Sequence, residues 1–315
     1  MFNYEVNNLK NTILLALCVI LLSSCGYEMK NKQLKTEDTI VKMETRKDIE
    51  LNITTTNKLL YNMVKCISKD MHCVDYIFKN RDTEANFQFT SDSLNNMAKK
   101  DLLIYMGASF EPWMDDFIDK LNKNKVGVIN VSRGVKLLPY NKEVKYKNTV
   151  LQDNPYYMMN IYNYKTALMN VKNSIQDRDP KNRDVYQKNF SEAIKNIEIY
   201  EKDLNTVRDK LSDYNFVFAE DEMNYFVKYN GFKSIYTIKD TSGKWDLESK
   251  VKDLKKIVFL YNDPSILKEN EEIIKKYNIK TINIKIYNGE INYEDIIKYN
   301  VDSLKKFYES ETLKK

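Results

Sequence analysis

Histidine, glycine and cysteine are scarce in this 315-residue chain, which has 1 His, 7 Gly and 4 Cys. One histidine, His72, and no CxxC pair argue against a cysteine and histidine metal centre. The shortage of glycine argues against a phosphate loop, and no nucleophile and base pair stands out, so we expect no enzyme. No apolar run reaches the roughly 20 residues that a membrane-spanning helix needs.

Neither sign of charge dominates the chain. The chain carries 50 Lys and Arg against 45 Asp and Glu, a formal net charge of +5. The two signs alternate along nearly every segment, whereas a nucleic-acid binder concentrates its positive charge. We therefore expect no nucleic-acid partner.

The N-terminus has the pattern of an export signal. An apolar run from Ile13 to Leu22 is followed by Ser23, Ser24 and Cys25. This pattern predicts a lipoprotein signal peptide over residues 1–24, with Cys25 acylated and inserted in membrane lipid. An ordinary cleaved secretory peptide and a buried apolar segment are the alternatives. The prediction places the mature chain outside the cytoplasm, anchored to the cell membrane.

Residues 25–47 are polar and charged and have too little apolar surface for a core. They are predicted to form a flexible tether, which as a coil of about 20 residues would span about 25 Å. Beyond it, Cys66 and Cys73 are the two remaining thiols. We favour two unpaired, buried thiols, and a disulfide between them stays an alternative.

After the tether, strand-like runs alternate with amphipathic helical runs, which predicts parallel sheets covered by helices. The predicted elements are strands at 49–55, 73–78, 101–105, 126–131, 215–219, 234–238, 257–261 and 281–287, and helices at 110–122, 264–277 and 293–309. The fold class is α/β with two (β/α)4-type lobes. Their predicted bounds are 48–180 and 214–315.

The segment between the lobes has the most regular pattern in the chain. Apolar residues recur at steps of four and three at Tyr186, Phe190, Ala193, Ile197, Tyr200, Leu204, Val207 and Leu211. This spacing predicts one long helix within residues 181–213, about 43 Å long from Arg183 to Leu211. A coiled-coil dimer seam is the alternative, but the aromatic rings in the stripe favour an internal spine in a monomer.

Four stretches carry a family resemblance: Asp101-Leu-Leu-Ile-Tyr-Met-Gly-Ala-Ser-Phe-Glu-Pro-Trp113; Arg178-Asp-Pro-Lys-Asn182 with Tyr186-Gln-Lys-Asn-Phe190; Tyr225-Phe-Val-Lys-Tyr-Asn-Gly231; and Ile297-Lys-Tyr-Asn-Val-Asp302. In this order they resemble the zinc- and manganese-receptor lipoproteins of ABC importers, the TroA-like or ZnuA-like family. The resemblance implies two lobes on a rigid helix, one metal ion held between them, and delivery to an ABC permease in the membrane.

The ligands that the resemblance implies are mostly replaced in this sequence. The positions of the two family histidines fall on Ala85 and Tyr156, the third ligand position on Glu220, and the fourth near Asn288. Alanine cannot coordinate, a neutral phenol and an amide are weak ligands, and only Glu220 is a carboxylate. We expect no certain cofactor, and any transition metal should bind weakly.

Two alternatives remain for the acidic run that starts at Glu220. It could bind Fe³⁺ together with a Tyr156 phenolate and Asp221 or Glu222, or it could be the acidic start of a helix. The His-rich loop of zinc-type members is also missing, because residues 140–152 carry Lys and Tyr instead.

Two functions of different classes follow from the scaffold. The first is a receptor that still serves a metal-type importer but has an altered or lost ligand. The second is a surface interaction protein or adhesin that keeps the fold without transport. An enzyme ranks third.

Overall fold

The computed structural model describes residues 49–121, 125–289 and 291–313. The predicted signal peptide, the tether and Cys25 lie outside these ranges and stay predictions. The described residues all belong to one compact unit, residues 45–315. The predicted lobe boundaries inside this unit are untested.

The first half of the chain builds a parallel four-stranded sheet in the order β2-β1-β3-β4. Its strands are β1 (Asn52–Asn57), β2 (Cys73–Phe78), β3 (Leu102–Tyr105) and β4 (Gly127–Asn130). Its helices are α1 (Lys58–Ser68), α2 (Arg81–Ala85), α3 (Ser91–Met97), α4 (Met114–Lys120) and α5 (Ile161–Arg178). The apolar face of α1 buries Leu59, Leu60, Met63, Val64 and Ile67.

The second half builds an equivalent parallel sheet in the order β10-β9-β7-β8. Its strands are β7 (Asn215–Phe218), β8 (Ser234–Tyr236), β9 (Ile257–Tyr261) and β10 (Lys280–Asn283). The helices that follow α6 (Arg183–Lys210) are α7 (Asn224–Tyr229), α8 (Leu247–Val251), α9 (Pro264–Glu269), α10 (Glu271–Lys276) and α11 (Tyr293–Thr312). Two parallel sheets and one long helix confirm the predicted fold class.

Helix α6 confirms the predicted spine almost to the residue. Its apolar stripe packs in the main core, with Tyr186, Ala193, Ile197, Leu204 and Val207 buried. Helices α1, α5 and α11 all pack against it, so the same helix supports elements of both halves. The stripe is therefore covered within this chain, as an internal spine requires.

His72 anchors the start of the spine. It is buried just before β2 and lies 2.9 Å from the Tyr186 hydroxyl of α6 through its Nε2 atom. The Tyr186 hydroxyl also donates to the buried carboxylate of Asp179, which accepts from Asn182 Nδ2 at 2.8 Å. The sole histidine therefore has a structural role.

The structure differs from the predicted elements at several points. Residues 139–153 form an antiparallel hairpin of β5 (Pro139–Tyr146) and β6 (Thr149–Asp153), which the sequence pattern did not predict. The predicted helix 264–277 is two helices, α9 and α10, because Asn270 ends one and begins the next. The predicted strand 281–287 ends at Asn283.

Both Cys66 and Cys73 are free thiols. The expectation that both are buried was wrong, because Cys66 is half-buried and Cys73 is exposed at the start of the edge strand β2. Within the described ranges, none of the helices has the length and apolar character needed to cross a bilayer.

Candidate functional site

The carboxyl edges of both sheets contribute to one group of polar side chains. In each sheet the strand order reverses between two strands, β1 and β3 in the first and β7 and β9 in the second. Ligands of open α/β sheets bind at such points, outside the carboxyl ends of the strands. Thr56 and Asn57 end β1, and Glu220 and Asp221 follow β7. We therefore expect a ligand site at these two edges.

At the first edge a buried glutamate closes the turn after β3. The Glu111 carboxylate accepts hydrogen bonds from the Met106 and Gly107 backbone N–H groups at 2.8 and 3.1 Å. It also accepts from the Thr56 hydroxyl at 2.5 Å. Three donors satisfy this carboxylate, and they hold the β3 turn against the end of β1.

A second buried glutamate, Glu84 of α2, lies beside the first. It accepts a hydrogen bond from Asn57 Nδ2 at 2.9 Å, and its backbone carbonyl accepts from the Trp113 indole at 2.6 Å. Burial, and then the neighbouring Glu111 carboxyl, raises the pKa of Glu84 to about 8. Burial also raises the pKa of Glu111. Because Glu111 has more hydrogen-bond donors, the proton shared near neutral pH belongs mainly on Glu84.

Arg81, one turn before Ala85 on α2, extends into the same region. Its guanidinium lies 3.8 Å from the centre of the Phe110 ring, and its Nη1 atom is 3.6 Å from Glu84 Oε2. Burial raises the pKa of the Tyr156 phenol, and the Arg81 charge opposes that rise. Tyr156 precedes the short 3₁₀ helix Tyr157–Met159, and its ring contacts Phe110 edge-on at 5.8 Å.

At the second edge two of the three acidic residues already have backbone partners. The Glu220 carboxylate accepts from the Asn262 and Asp263 N–H groups after β9, at 2.7 and 3.2 Å. The Asp221 carboxylate accepts from both the backbone and the side-chain nitrogen of Asn141 in β5, at 2.8 and 2.7 Å. Both side chains therefore stabilise loops.

Glu222 is the acidic residue that acts on Tyr156. Its charge raises the pKa of Tyr156, second to burial, and it also acts on Tyr140 of β5. Burial raises the pKa of Glu222 itself, while the Arg81 charge opposes that rise. We call Arg81, Glu84, Tyr156 and Glu222 the cleft cluster, because its members come from both halves of the fold.

The predicted ligand residues have different surroundings. Tyr156 belongs to the cleft cluster, whereas the Glu220 carboxylate is bonded to the loop after β9. Ala85 ends α2, and Asn288 is solvent-exposed. Sequence reasoning missed Arg81, Glu84 and Glu111. The signal for Arg81 was its position four residues before Ala85, because residues at i and i+4 share one helix face.

The cleft cluster does not fit a transition metal. Among the described residues no three His, Cys, Asp or Glu side chains are grouped so that they could hold an ion. Burial raises the pKa of the Tyr156 phenol above its ordinary value, so the phenolate that Fe³⁺ prefers is disfavoured near neutral pH. A protonated Glu84, a neutral phenol and a guanidinium are poor metal ligands.

Direct contacts close the two halves around the cleft cluster. The Tyr287 hydroxyl accepts from the Leu59 N–H of α1 at 3.1 Å, and Asn154 Nδ2 donates to the Asp221 carbonyl at 2.7 Å. At Gly289, with φ of +106°, an added Cβ would lie 2.6 Å from the Lys79 carbonyl oxygen. Only glycine allows the two backbones to approach this closely.

A separate groove of about 630 Å³ lies beside the first edge. Its lining includes Ser109, Asn130, Tyr146 and Asp153, and it shares Glu111 with the carboxyl edge. Arg81, Tyr156 and Glu222 are not part of this lining. The groove is therefore distinct from the cleft cluster.

Two parallel α/β halves that meet at their carboxyl edges and share one long helix define a solute-binding receptor fold. The chain belongs to the family described as "Zinc-uptake complex component A periplasmic", which matches residues 53–307.

Similar proteins agree with this assignment. The high-affinity zinc uptake system protein ZnuA of Bacillus subtilis is 20% identical over 312 residues, covering 92% of this chain and 95% of that protein. The iron ABC transporter substrate-binding lipoprotein MtsA of Streptococcus pyogenes is 22% identical over 282 residues, covering 83% and 90%. The crystal structure of the metal-dependent lipoprotein YcdH from Bacillus subtilis has a TM-score of 0.68 at 20% identity, covering 82% of this chain and 99% of that one.

Proposed function

We propose that this chain is the extracytoplasmic, lipid-anchored receptor of a metal-type ABC importer, and that it has lost high affinity for Zn²⁺ and Mn²⁺. The observation that carries the loss is the geometry of Tyr156 and Glu220. Tyr156 contacts the Phe110 ring on which the Arg81 guanidinium lies, and the Glu220 carboxylate is oriented by the backbone N–H groups after β9. A cation beside Tyr156 would therefore meet a positive charge, while Glu220 is directed towards the loop after β9.

The receptor role rests on the family and on the closed two-half fold. Family members supply a permease with its cargo, so we propose an ABC permease as the membrane partner. The curated relative MtsA is named a lipoprotein, and this supports the proposed anchor at Cys25. An intact mass of membrane-extracted protein tests the anchor. A Cys25→Ser variant that stays in the membrane fraction like the wild type would contradict it.

Thermal melting with and without excess Zn²⁺ or Mn²⁺ tests the metal proposal. A ligand at about 100 times its Kd stabilises the folded state by about 2.7 kcal/mol. We expect this chain to gain almost none of that, and we expect elemental analysis of protein purified without added metal to find a substoichiometric ion content.

Two variants show which carboxylate is responsible if a metal effect appears. Glu220→Gln removes the residue at the family ligand position, and Glu222→Gln removes the acid that acts on Tyr156. A large metal-dependent rise in melting temperature that disappears in Glu220→Gln would refute the proposal, because it would show that Glu220 is still a ligand.

A further inference from the structure

Arg81 extends from the helix that carries a replaced ligand position. It lies four residues before Ala85 on α2, and side chains at i and i+4 share one helix face. Alanine at position 85 offers no ligand atom, whereas the Arg81 guanidinium lies 3.8 Å from the centre of the Phe110 ring, which itself contacts the Tyr156 ring edge-on at 5.8 Å. The Glu84 carboxyl lies 3.6 Å from Arg81 Nη1. The position of the guanidinium is therefore fixed by a ring contact and a neighbouring carboxyl.

Acidic groups from both halves surround this cation. Glu84 and Glu111 belong to the first half, and the Arg81 charge acts on both of them. Glu222 belongs to the second half, and the Arg81 charge lowers its pKa against the effect of burial. Tyr140 and Tyr287 also respond to Arg81. One fixed positive charge thus serves acidic and phenolic groups on both sides of the cleft, as a bound cation does in a metal receptor.

We infer that the Arg81 guanidinium takes the place of the cargo cation, so that the cleft holds its own positive charge between the two halves. This inference deepens the proposed loss of metal binding and rests on it. A guanidinium stays protonated at every pH at which the protein folds, so it cannot leave the cleft by losing its charge. A divalent ion beside Tyr156 would meet a like charge at close range.

Arg81→Met tests the inference by removing the charge while keeping an unbranched side chain over Phe110. Isothermal titration with MnCl2 and with ZnCl2 measures the affinity near neutral pH. We expect wild-type protein to bind with a Kd weaker than about 1 mM, and Arg81→Met to bind at least about tenfold more tightly. The double variant Arg81→Met with Glu222→Gln should return to the wild-type affinity.

Two controls separate charge from other effects. Arg81→Lys keeps the charge and should bind metal no better than the wild type. Arg133→Met removes an exposed arginine outside the cleft cluster and should also leave the affinity unchanged. An Arg81→Met variant that binds metal as weakly as the wild type would overturn the inference. An equal gain in Arg81→Lys would also overturn it.

The wild-type protein gives a test that does not depend on a variant that folds. An anomalous difference map of crystals soaked in MnCl2 should show no peak beside Tyr156. A peak there with Arg81 displaced would refute the inference. Tight metal binding by the wild type would refute the proposed loss of metal affinity, on which the inference rests. Weak binding by both the wild type and Arg81→Met would refute the inference alone, so the two failures are distinguishable.

Discussion

The carboxyl edges of the two sheets have the same topology, but their acidic residues differ in pKa and in hydrogen-bond partners. At the first edge, burial raises the pKa values of Glu84 and Glu111, so the pair retains a proton near neutral pH. At the second edge, Glu220 and Asp221 bind backbone N–H groups of neighbouring loops. Burial also raises the pKa of Glu220, but there the hydrogen bond from the Asn262 N–H opposes the rise. The first edge therefore has a carboxyl pair that shares a proton, and the second has a carboxylate held by backbone N–H groups.

This difference shows that the same topology can hold acidic side chains in two ways. Desolvation keeps a proton on the carboxyl pair at the first edge, and backbone hydrogen bonds orient the carboxylates at the second.

Breaking the spine would remove the common support of both edges, so Ile197→Pro should have the largest effect. Proline deletes a helix hydrogen bond and clashes with the preceding turn, which costs about 3 kcal/mol or more. Ile197 is 2% exposed in the middle of α6. Ile197→Val should cost only about 1 kcal/mol. Circular dichroism melts measure the losses of stability in both variants. Unchanged melting of the proline variant would contradict a continuous helix that supports both halves.

Removing one acid from each edge compares them directly. Glu111→Ala leaves the Met106 and Gly107 N–H groups and the Thr56 hydroxyl without their acceptor in a buried site. Each buried unsatisfied donor costs about 1–3 kcal/mol, and we expect a total loss of about 3 kcal/mol.

Glu220→Ala should cost less, about 1 kcal/mol, because the second edge is more accessible to water. Urea unfolding gives both values. Equal losses for the two variants would show that the edges do not differ in the way described.

The contact between the edges is tested by adding one methyl group. Gly289→Ala combines a positive φ with a clash against the Lys79 carbonyl, and we expect a loss of about 2 kcal/mol. Gly231→Ala is the matched control, because its φ of +70° is also positive but no atom lies within 4 Å of the added Cβ. A loss no larger than that of the control would mean that the approach at Gly289 is not tight in solution.

The smallest expected effect is the pH dependence of stability, which should distinguish the first edge from the second. The folded chain keeps a proton on Glu84 up to about pH 8, whereas the unfolded chain releases it near its ordinary pKa of about 4.5. Stability from this group is therefore complete below the unfolded pKa and is lost as pH rises through the folded pKa. The slope is at most about 1.4 kcal/mol per pH unit for one proton.

Glu84→Gln mimics the protonated acid and should flatten that part of the pH profile. Urea unfolding across this pH window provides the measurement. A slope that persists unchanged in Glu84→Gln would assign the proton to another group.

The parts of the fold that sequence could predict are those whose pattern follows burial. The stripe from Tyr186 to Leu211 placed α6 because every third or fourth residue contacts the core. The buried strands β3 and β9 were also predicted within one residue, since their side chains are apolar on both faces.

The hairpin and the split helix could not be predicted, because no pattern of buried apolar residues marks them. Strands β5 and β6 are partly exposed on both faces, and their register shifts between Pro139 and Val144, so no clean alternation marks them. Asn270 ends α9 through a change in backbone conformation that apolar spacing does not report.

The site was predicted only as a set of positions. The resemblance pointed to Ala85 and Tyr156 but carried no information about which side chain would replace a missing ligand. Arg81 matches none of the family ligand positions. Its role depends on a ring contact with Phe110 that only the fold creates. The direction of the Glu220 side chain likewise depends on the loop after β9, which is distant in sequence.

The buried His72 beside the start of α6 allows the packing of the spine to be followed by NMR spectroscopy. The chain has one histidine, so its imidazole protons give a single set of resonances without mutagenesis or selective labelling. The Leu51 N–H donates to Nδ1, which assigns the ring proton to Nε2 and directs it to the Tyr186 hydroxyl. A slowly exchanging Nε2 proton in a one-dimensional spectrum would thus report, in one peak, that α6 is seated on the first sheet.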